Sequence, residues 1–352
     1  MPTFNDEQLM ILHVFVQLTS IISALGCLGV IYHIVFVDTK RFGSNRTTLF
    51  LAVSDLLTAS TTVLAQYTIN GPLSSGSPDV ASVMCQVQAF GHQTFFLQSA
   101  AWNTVMALNV LLLFVFKYPY SELPKLDRIY ALTIYPITTI SGIVVVALGT
   151  SGGTTIWCSI SGNYNVLRML VFFMPLWIMF AFNIGVYSYI GYQLKKCQQK
   201  LRPHTAARAT VIASKELLAI PKESNGRRMS GDSVMSNTAA RAKRRQSIGT
   251  GSLFAEKRDP VARYASKVSV FIAGFFIVFG PASLTRILNL TASGAPYAVY
   301  VIHTLTEPLA GGITSLIYFN RVRKVRQQGG ATTTTGSSAV RSHEASANGA
   351  TA

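Results

Sequence analysis

Charged residues are scarce in this sequence. They make up 12% of its 352 residues, whereas soluble domains contain about 25%. Hydrophobic residues make up 49%. This composition argues against a soluble globular protein, because too few charges are present to form a water-exposed surface. It indicates a membrane protein with little chain left over for a separate soluble domain.

The apolar residues are grouped into seven long stretches. A hydrocarbon core about 30 Å thick needs roughly 20 apolar residues of helix to cross it. Backbone polar groups in lipid must be satisfied within the segment, which favours helices. The sequence therefore predicts an all-α membrane protein with a seven-transmembrane helix bundle. The spans are placed at 10–37, 46–69, 86–116, 129–149, 165–193, 264–290 and 296–319.

Positive charge is abundant, but it is concentrated on one side of the predicted bundle. A net charge of +16 is also found in nucleic-acid-binding proteins. Here, however, most of the charge is concentrated in one segment, 195–267, which holds seventeen Lys and Arg against five Asp and Glu. Loops 70–84 and 150–164, on the other side, contain one charged residue, Asp79. By the positive-inside rule the N-terminus lies outside and the C-terminus inside. We predict a multi-pass plasma-membrane protein whose basic residues contact membrane lipid, with no nucleic-acid partner.

A polar segment divides the bundle into five helices and two. We expect no cleavable signal peptide, because Asp6 and Glu7 replace a basic n-region and the first apolar run is too long. The predicted domains are helices one to five in 1–196, a disordered basic third cytoplasmic loop in 197–262, helices six and seven with a basic juxtamembrane segment in 263–326, and a disordered cytoplasmic tail in 327–352.

Cysteine is rare, and two of the four cysteines fall on the predicted outer side. Cys85 lies at the start of the third span, and Cys158 lies in the loop after the fourth. An oxidising exterior favours a disulfide between them, which would hold the second outer loop over the mouth of the bundle. Two free thiols are the alternative.

Polar residues recur at helical spacing in two of the spans, and ionisable groups in a bilayer are candidate functional residues because they are costly there. In the third span the polar stripe is His92, Phe96, Ser99 and Asn103. In the seventh it is Tyr300, His303, Glu307, Gly311, Thr314 and Tyr318. We predict that both stripes face the bundle interior.

Two groups of candidate site residues follow. The candidate ligand site is His92, Phe96, Arg168, Arg286, Tyr300, His303 and Glu307. Within it, Arg286 pairs with Glu307, or Arg286 and Arg168 together bind an anionic ligand. The candidate switch or ion cluster is Asp55, Ser99, Asn103 and Thr314. For both groups the alternative is interhelical hydrogen bonding that only holds the bundle together.

Motifs of several other functions are missing. The 296–319 span has no Lys, which excludes a retinal Schiff base there. The sequence contains no His-Glu-x-x-His and no Gly-x-Ser-x-Gly, and the histidines of the spans are isolated from one another. We therefore expect no enzyme, no metal site and no cofactor. The lack of an inverted repeat weakens a transporter interpretation.

The seven spans, the outer cysteines and the long basic inner loop resemble a G-protein-coupled receptor over about 10–326. Three segments resemble the cyclic-AMP-receptor-like group of slime moulds and fungi, and in part the related fungal glucose-sensing receptors. They are LAVSDLL at 51–57, CQVQAF at 85–90 with Trp102 and 107–109, and PLAGG at 308–312 leading to Tyr318. The Asp-Arg-Tyr and Asn-Pro-x-x-Tyr motifs of rhodopsin-like receptors are absent.

The resemblance implies a receptor that binds an extracellular ligand and activates a heterotrimeric G protein, in a nutrient or cyclic-AMP signalling pathway. A seven-helix transporter or another non-receptor membrane protein is the alternative, and a homo-oligomer is left open. Contacts with the G protein are expected from inner basic residues, namely Lys117, Lys195, Lys196, Arg263, Lys267 and Arg321. Two Arg-Arg-x-Ser sequences ending at Ser230 and Ser247 are candidate sites for a cyclic-AMP-dependent type of kinase, or chance matches in an Arg- and Ser-rich loop.

Overall fold

Seven long helices form the bundle in a computed structural model that describes residues 4–39, 42–65, 67–70, 81–193, 196, 260–289, 294–324 and 327. The first four are α1 (Asp6–Tyr32, continued by a π-helical turn at His33–Val37), α2 (Phe42–Thr62), α3 (Val83–Phe114) and α4 (Leu123–Ala147). α5 consists of Asn165–Arg168, a π-helical turn at Met169–Phe173 and 174–193. α6 is Pro260–Leu288, and α7 is Tyr297–Thr306 followed by 310–324.

The predicted seven-helix fold is confirmed, but α2 ends earlier than predicted and α7 is interrupted within its predicted span. α2 stops at Thr62 rather than 69, because the chain turns there and Ala65 has a left-handed φ of 43°. The one-turn helix Tyr67–Asn70 follows. α7 is interrupted between Glu307 and Leu309, since Pro308 has no N–H to donate to the carbonyl of Thr304.

Four helices are individually long and apolar enough to cross a membrane. Among the described residues these candidate spans are Asp6–Val37, Val83–Phe114, Tyr120–Ala147 and Gly162–Gln193, while Ala273–Leu288 is apolar but shorter. α2 is more polar because it buries Asp55 and several hydroxyl side chains. Outward-facing side chains such as Leu25, Leu132 and Ile178 are 64–77% exposed, as expected of a lipid-facing surface.

α3 is the central helix. In the most apolar stretch of α3, 72% of the residues are buried inside the protein, whereas the corresponding share is 17–28% for α1, α4 and α5. It packs against α2, α4 and α6. Its Trp102 is fully buried and stacks on Phe50 of α2, with the ring centroids 4.6 Å apart. The polar side chains of α3 are therefore held in the middle of the bundle.

A β-hairpin covers one end of the bundle, here called the disulfide end. β1 (Ser151–Gly153) pairs antiparallel with β2 (Cys158–Ile160), and the predicted disulfide joins Cys158 to Cys85 in the first turn of α3. Gln88 strengthens this attachment from α3. Its Oε1 accepts from the backbone N–H of Cys158 at 2.8 Å and from Thr68 Oγ1 at 2.6 Å.

Candidate functional site

A cavity of about 420 Å³ lies between the hairpin and the helices at the disulfide end. Residues of α3, α5, α6 and α7 line it, together with Thr154–Trp157 and Ser159 of the hairpin region. Six of the seven predicted ligand residues contribute to this lining: His92, Arg168, Arg286, Tyr300, His303 and Glu307. Residues far apart in the sequence therefore meet around one space.

Glu307 lies at the deep side of this cavity and is 2% exposed. His92 Nε2 is 3.1 Å from its Oε1, and His303 Nε2 contacts its Oε2. Both imidazoles must carry a proton on Nε2 to donate to the carboxylate. The expectation that the membrane histidines are isolated is therefore wrong, because α3 and α7 bring two of them to one carboxylate.

Aromatic rings enclose His92. The Trp157 ring lies 5.0 Å from the imidazole and also contacts His303 edge-on at 5.7 Å. Phe172 stacks on the imidazole at 5.3 Å, and Phe96 stacks on it at 5.2 Å. Phe96 is not among the residues that line the cavity, so it supports His92 instead of facing the space.

Arg286 lines the cavity and is 7% exposed, and no carboxylate of the described residues pairs with it. Its Nε lies 3.4 Å from Met169 Sδ, and its guanidinium carbon is 5.5 Å from the centre of the Phe173 ring. Its Nη2 is buried without a hydrogen-bond partner. Of the two alternatives for Arg286, the pair with Glu307 is not formed, since Glu307 is engaged by the two histidines.

Arg168 faces the same cavity from α5. It makes only two long hydrogen bonds, to the Ile160 carbonyl and to Asn165 Oδ1, each 3.4 Å. Within the described part of the chain, no Asp or Glu oxygen lies within 4.0 Å of either guanidinium. Arg168 and Arg286 also repel each other. Arg286 is buried and Arg168 is half-buried. Two such cations at one cavity are unfavourable without an anion, so this arrangement is suited to binding an anion.

Tyr300 and Asn289 shape the side of the cavity where α6 joins α7. Asn289 Nδ2 donates to Tyr300 Oη at 2.8 Å, and Asn289 Oδ1 accepts from the backbone N–H of Ala295 at 2.9 Å. Phe4 packs edge-on against the Tyr300 ring at 5.1 Å. These contacts tie the N-terminal segment and the α6–α7 connection to the cavity.

The four residues of the predicted switch cluster also lie together, deeper in the bundle. Asp55 Oδ1 accepts from Ser99 Oγ at 2.5 Å, and Oδ2 accepts from Thr314 Oγ1 at 3.0 Å. Asn103 Nδ2 donates to the Ser99 carbonyl at 3.1 Å. A space of about 10 Å³ adjoins the cluster, about the size that one water-sized particle needs. The cluster joins α2, α3 and α7, and its role as a switch stays a prediction.

The predicted G-protein contacts are only partly within the described chain. Lys117 follows the end of α3, is exposed and has a left-handed φ of 54°. Lys196 is exposed, and Arg321 on α7 is half-buried. Arg263 and Lys267 belong to α6, but their side chains lie outside the described residues, as do Lys195, Ser230 and Ser247.

Trp157 and Gln93 are among the side chains at this site that sequence reasoning missed. Trp157 precedes Cys158 directly, so the predicted disulfide was the signal that could have placed it over the bundle. Gln93 lies one residue beyond His92 and reaches α5. Its neighbours across the bundle are too far away in the sequence to give any comparable signal.

The fold and this site can be compared with known proteins. Comparison with curated protein sequences gave no significant relative. Among solved structures, the crystal structure of squid rhodopsin is similar with a TM-score of 0.52 and 15% identity, over 90% of this chain and 81% of that one. Such a likeness shows the fold alone. The sequence profile of the slime mold cyclic AMP receptor matches residues 3–200, more than half of the chain, and the chain belongs to this family of G-protein-coupled receptors.

Proposed function

We propose that this receptor binds an anionic, phosphate-bearing ligand in the cavity at the disulfide end and then activates a heterotrimeric G protein at the opposite end. The observation that carries the proposal is the pair of guanidiniums, Arg168 and Arg286, that line one cavity while no Asp or Glu oxygen of the described residues lies within 4.0 Å of either. Guanidinium groups match phosphate geometry with two parallel hydrogen bonds, which makes arginine well suited to this role.

The cavity also has features of a site for a ligand with an aromatic ring. Its volume of about 420 Å³ lies within the roughly 300–1,000 Å³ usual for small-molecule pockets. Trp157 and Phe172 contribute flat apolar surface beside the arginines. The family is described as a cyclic AMP receptor, and cyclic AMP combines a phosphate with an aromatic base. We therefore propose a cyclic nucleotide as the ligand class and cyclic AMP as the first probe.

The proposed orientation places the disulfide end outside the plasma membrane. The basic residues at the other end, including Lys117, Lys196 and Arg321, would then meet the G protein. A ligand can shift a receptor between two states only by its different affinity for them. The phosphate and the two arginines would supply this difference if the active state brings them closer together.

Binding of radiolabelled cyclic AMP to membranes that contain the full chain tests the ligand. We expect Arg286→Ala to weaken binding at least roughly tenfold, because truncation removes one charged partner of the phosphate. Arg128→Ala is the matched control, since it removes the same charge from an exposed position at the opposite end. Equal binding by both variants would remove Arg286 from the ligand site.

Nucleotide exchange on purified G-protein α subunits tests the signalling step. Membranes with the receptor and cyclic AMP should accelerate exchange above membranes without the chain. Liposomes containing the receptor should show no flux of cyclic AMP. Flux without any stimulated exchange would favour a transporter and contradict the receptor proposal.

A further inference from the structure

Pro175 leaves one backbone carbonyl of α5 without its usual helical partner. In an α-helix the carbonyl of residue 171 accepts from the N–H of residue 175, and proline has no N–H. The π-helical turn Met169–Phe173 ends two residues before Pro175 and includes Val171. A side-chain donor from a neighbouring helix could therefore bond the Val171 carbonyl.

Gln93 of α3 supplies this donor. Its Nε2 lies 3.1 Å from the Val171 carbonyl and 2.8 Å from Ser141 Oγ on α4. The side chain is 1% exposed, so the two bonds form away from solvent. Bonds of this kind count for more in a buried setting, where water cannot replace them. One amide thus joins α3, α4 and the π-helical turn of α5.

The same turn contributes three contacts to the candidate ligand residues. Met169 Sδ lies 3.4 Å from Arg286 Nε, and the Phe173 ring lies under the Arg286 guanidinium. Phe172 stacks on His92. A π-helical turn holds about one residue more than an α-helical turn, and each residue of an α-helix corresponds to a rotation of roughly 100° about the helix axis. Conversion to an ordinary α-helical turn would therefore rotate Met169 away from its present direction relative to Phe173. Met169 and Phe173 then could not hold Arg286 as they do.

We propose that Gln93 is a positioning residue of the ligand site, which keeps Arg286 aimed into the cavity by bonding the π-helical turn of α5. It does not touch the ligand. Its effect passes through the Val171 carbonyl to Met169 and Phe173, and from these to the guanidinium. The inference rests on the proposed function in so far as Arg286 binds the ligand.

The chain offers a closely matched control for Gln93. Gln98 is also on α3, is 3% exposed and donates from Nε2 to a hydroxyl of α4, that of Thr138, at 3.1 Å. Unlike Gln93, it makes no hydrogen bond to the described residues of α5. Replacing each by methionine removes the amide while keeping its length. We expect Q93M to weaken cyclic AMP binding roughly tenfold, and Q98M by less than threefold.

A double-mutant cycle separates positioning from general damage. If Gln93 acts through Arg286, Q93M should weaken binding no further in a chain that already carries Arg286→Ala. Additive losses in the double variant would overturn the inference. A second outcome would also overturn the inference: cyclic AMP binds the natural chain, binding is weakened in Arg286→Ala, and binding is unchanged in Q93M. That outcome would leave the proposed function intact.

A second readout does not depend on the ligand. Phenylglyoxal modifies arginine, and its reaction at Arg286 can be followed by mass spectrometry of the full chain. Q93M should raise this rate at least threefold, and Q98M should not, because only Q93M releases the residues that shield the guanidinium. P175A restores the missing N–H and should also raise the rate of Arg286 modification. This variant replaces Q93M in the experiment if Q93M does not fold. Unchanged rates in both variants would overturn the inference even if cyclic AMP does not bind.

Discussion

Glu307 is 2% exposed, and its carboxylate accepts one hydrogen bond from His92 and one from His303. Glu307→Gln replaces one acceptor oxygen by an NH₂ group that would face an imidazole N–H, so one buried donor loses its partner. We expect the free energy of unfolding to fall by about 1–3 kcal/mol. Thermal unfolding of the detergent-purified receptor measures this change.

Glu122→Gln is the control for that substitution. Glu122 also forms an ion pair, with Lys125, but the Lys125 side chain is 73% exposed. Exposed pairs of this kind contribute about 0–1 kcal/mol. A melting temperature lowered equally by both variants would mean that the two histidines do not depend on the Glu307 carboxylate.

At the residue scale, sequence patterns predicted which side chains face inward but not which ones pair. The spacing of His303 and Glu307 places them on one helical face. Nothing in the sequence links Glu307 to His92, which lies 215 residues earlier. The choice between an Arg286–Glu307 pair and two arginines aimed at a ligand also depended on packing across helices, because both are compatible with the same spans.

Gly311 lies at a close approach between two elements, α1 and α7. A Cβ at this position would lie in hard contact with Cys27 Sγ and 2.6 Å from Ser23 Oγ. Gly311→Ala must therefore separate the helices or force side chains from their rotamers. We expect a loss of about 1–3 kcal/mol in the free energy of unfolding, measured by thermal denaturation in detergent.

Gly185→Ala on α5 makes the same chemical change where, among the described residues, no atom outside the adjoining backbone of its own helix lies within 4 Å of the added methyl. It should leave stability unchanged or raise it by about 0.5–1 kcal/mol, since alanine favours helix over glycine. Adding Cys27→Ala to Gly311→Ala should restore part of the lost stability. No recovery would place the strain elsewhere than at the α1–α7 contact.

At the element scale, long apolar runs predicted the helices because lipid leaves the backbone few other choices. Their irregularities were harder to predict. The π-helical turn at Met169–Phe173 is bonded by Gln93 from another helix, and no local pattern in the sequence indicates that contact. The early end of α2 depends on the turn at Ala65. This residue has a left-handed backbone although it is not glycine, so the sequence does not indicate the turn.

At the scale of the whole molecule, loop charge and cysteine placement predicted that the loop containing Cys158 covers one end of the bundle, above polar residues in its interior. The disulfide joins residues 73 positions apart, and the hairpin it holds brings Trp157 against His92 and His303. The cavity and the Asp55 cluster lie at different depths of one bundle. Their separation predicts that the two sites affect signalling differently.

Asp55→Asn tests this difference. The carboxylate joins α2 to Ser99 of α3 and Thr314 of α7 but does not line the ligand cavity. We expect the maximal rate of nucleotide exchange at saturating cyclic AMP to fall at least roughly fivefold, because added ligand cannot restore a destabilised active state. Arg286→Ala should instead raise the half-maximal concentration, while Arg168, still present, keeps most of the maximal rate. Asp6→Asn, at an exposed position, is the control. A defect of Asp55→Asn that excess ligand overcomes would contradict the switching role.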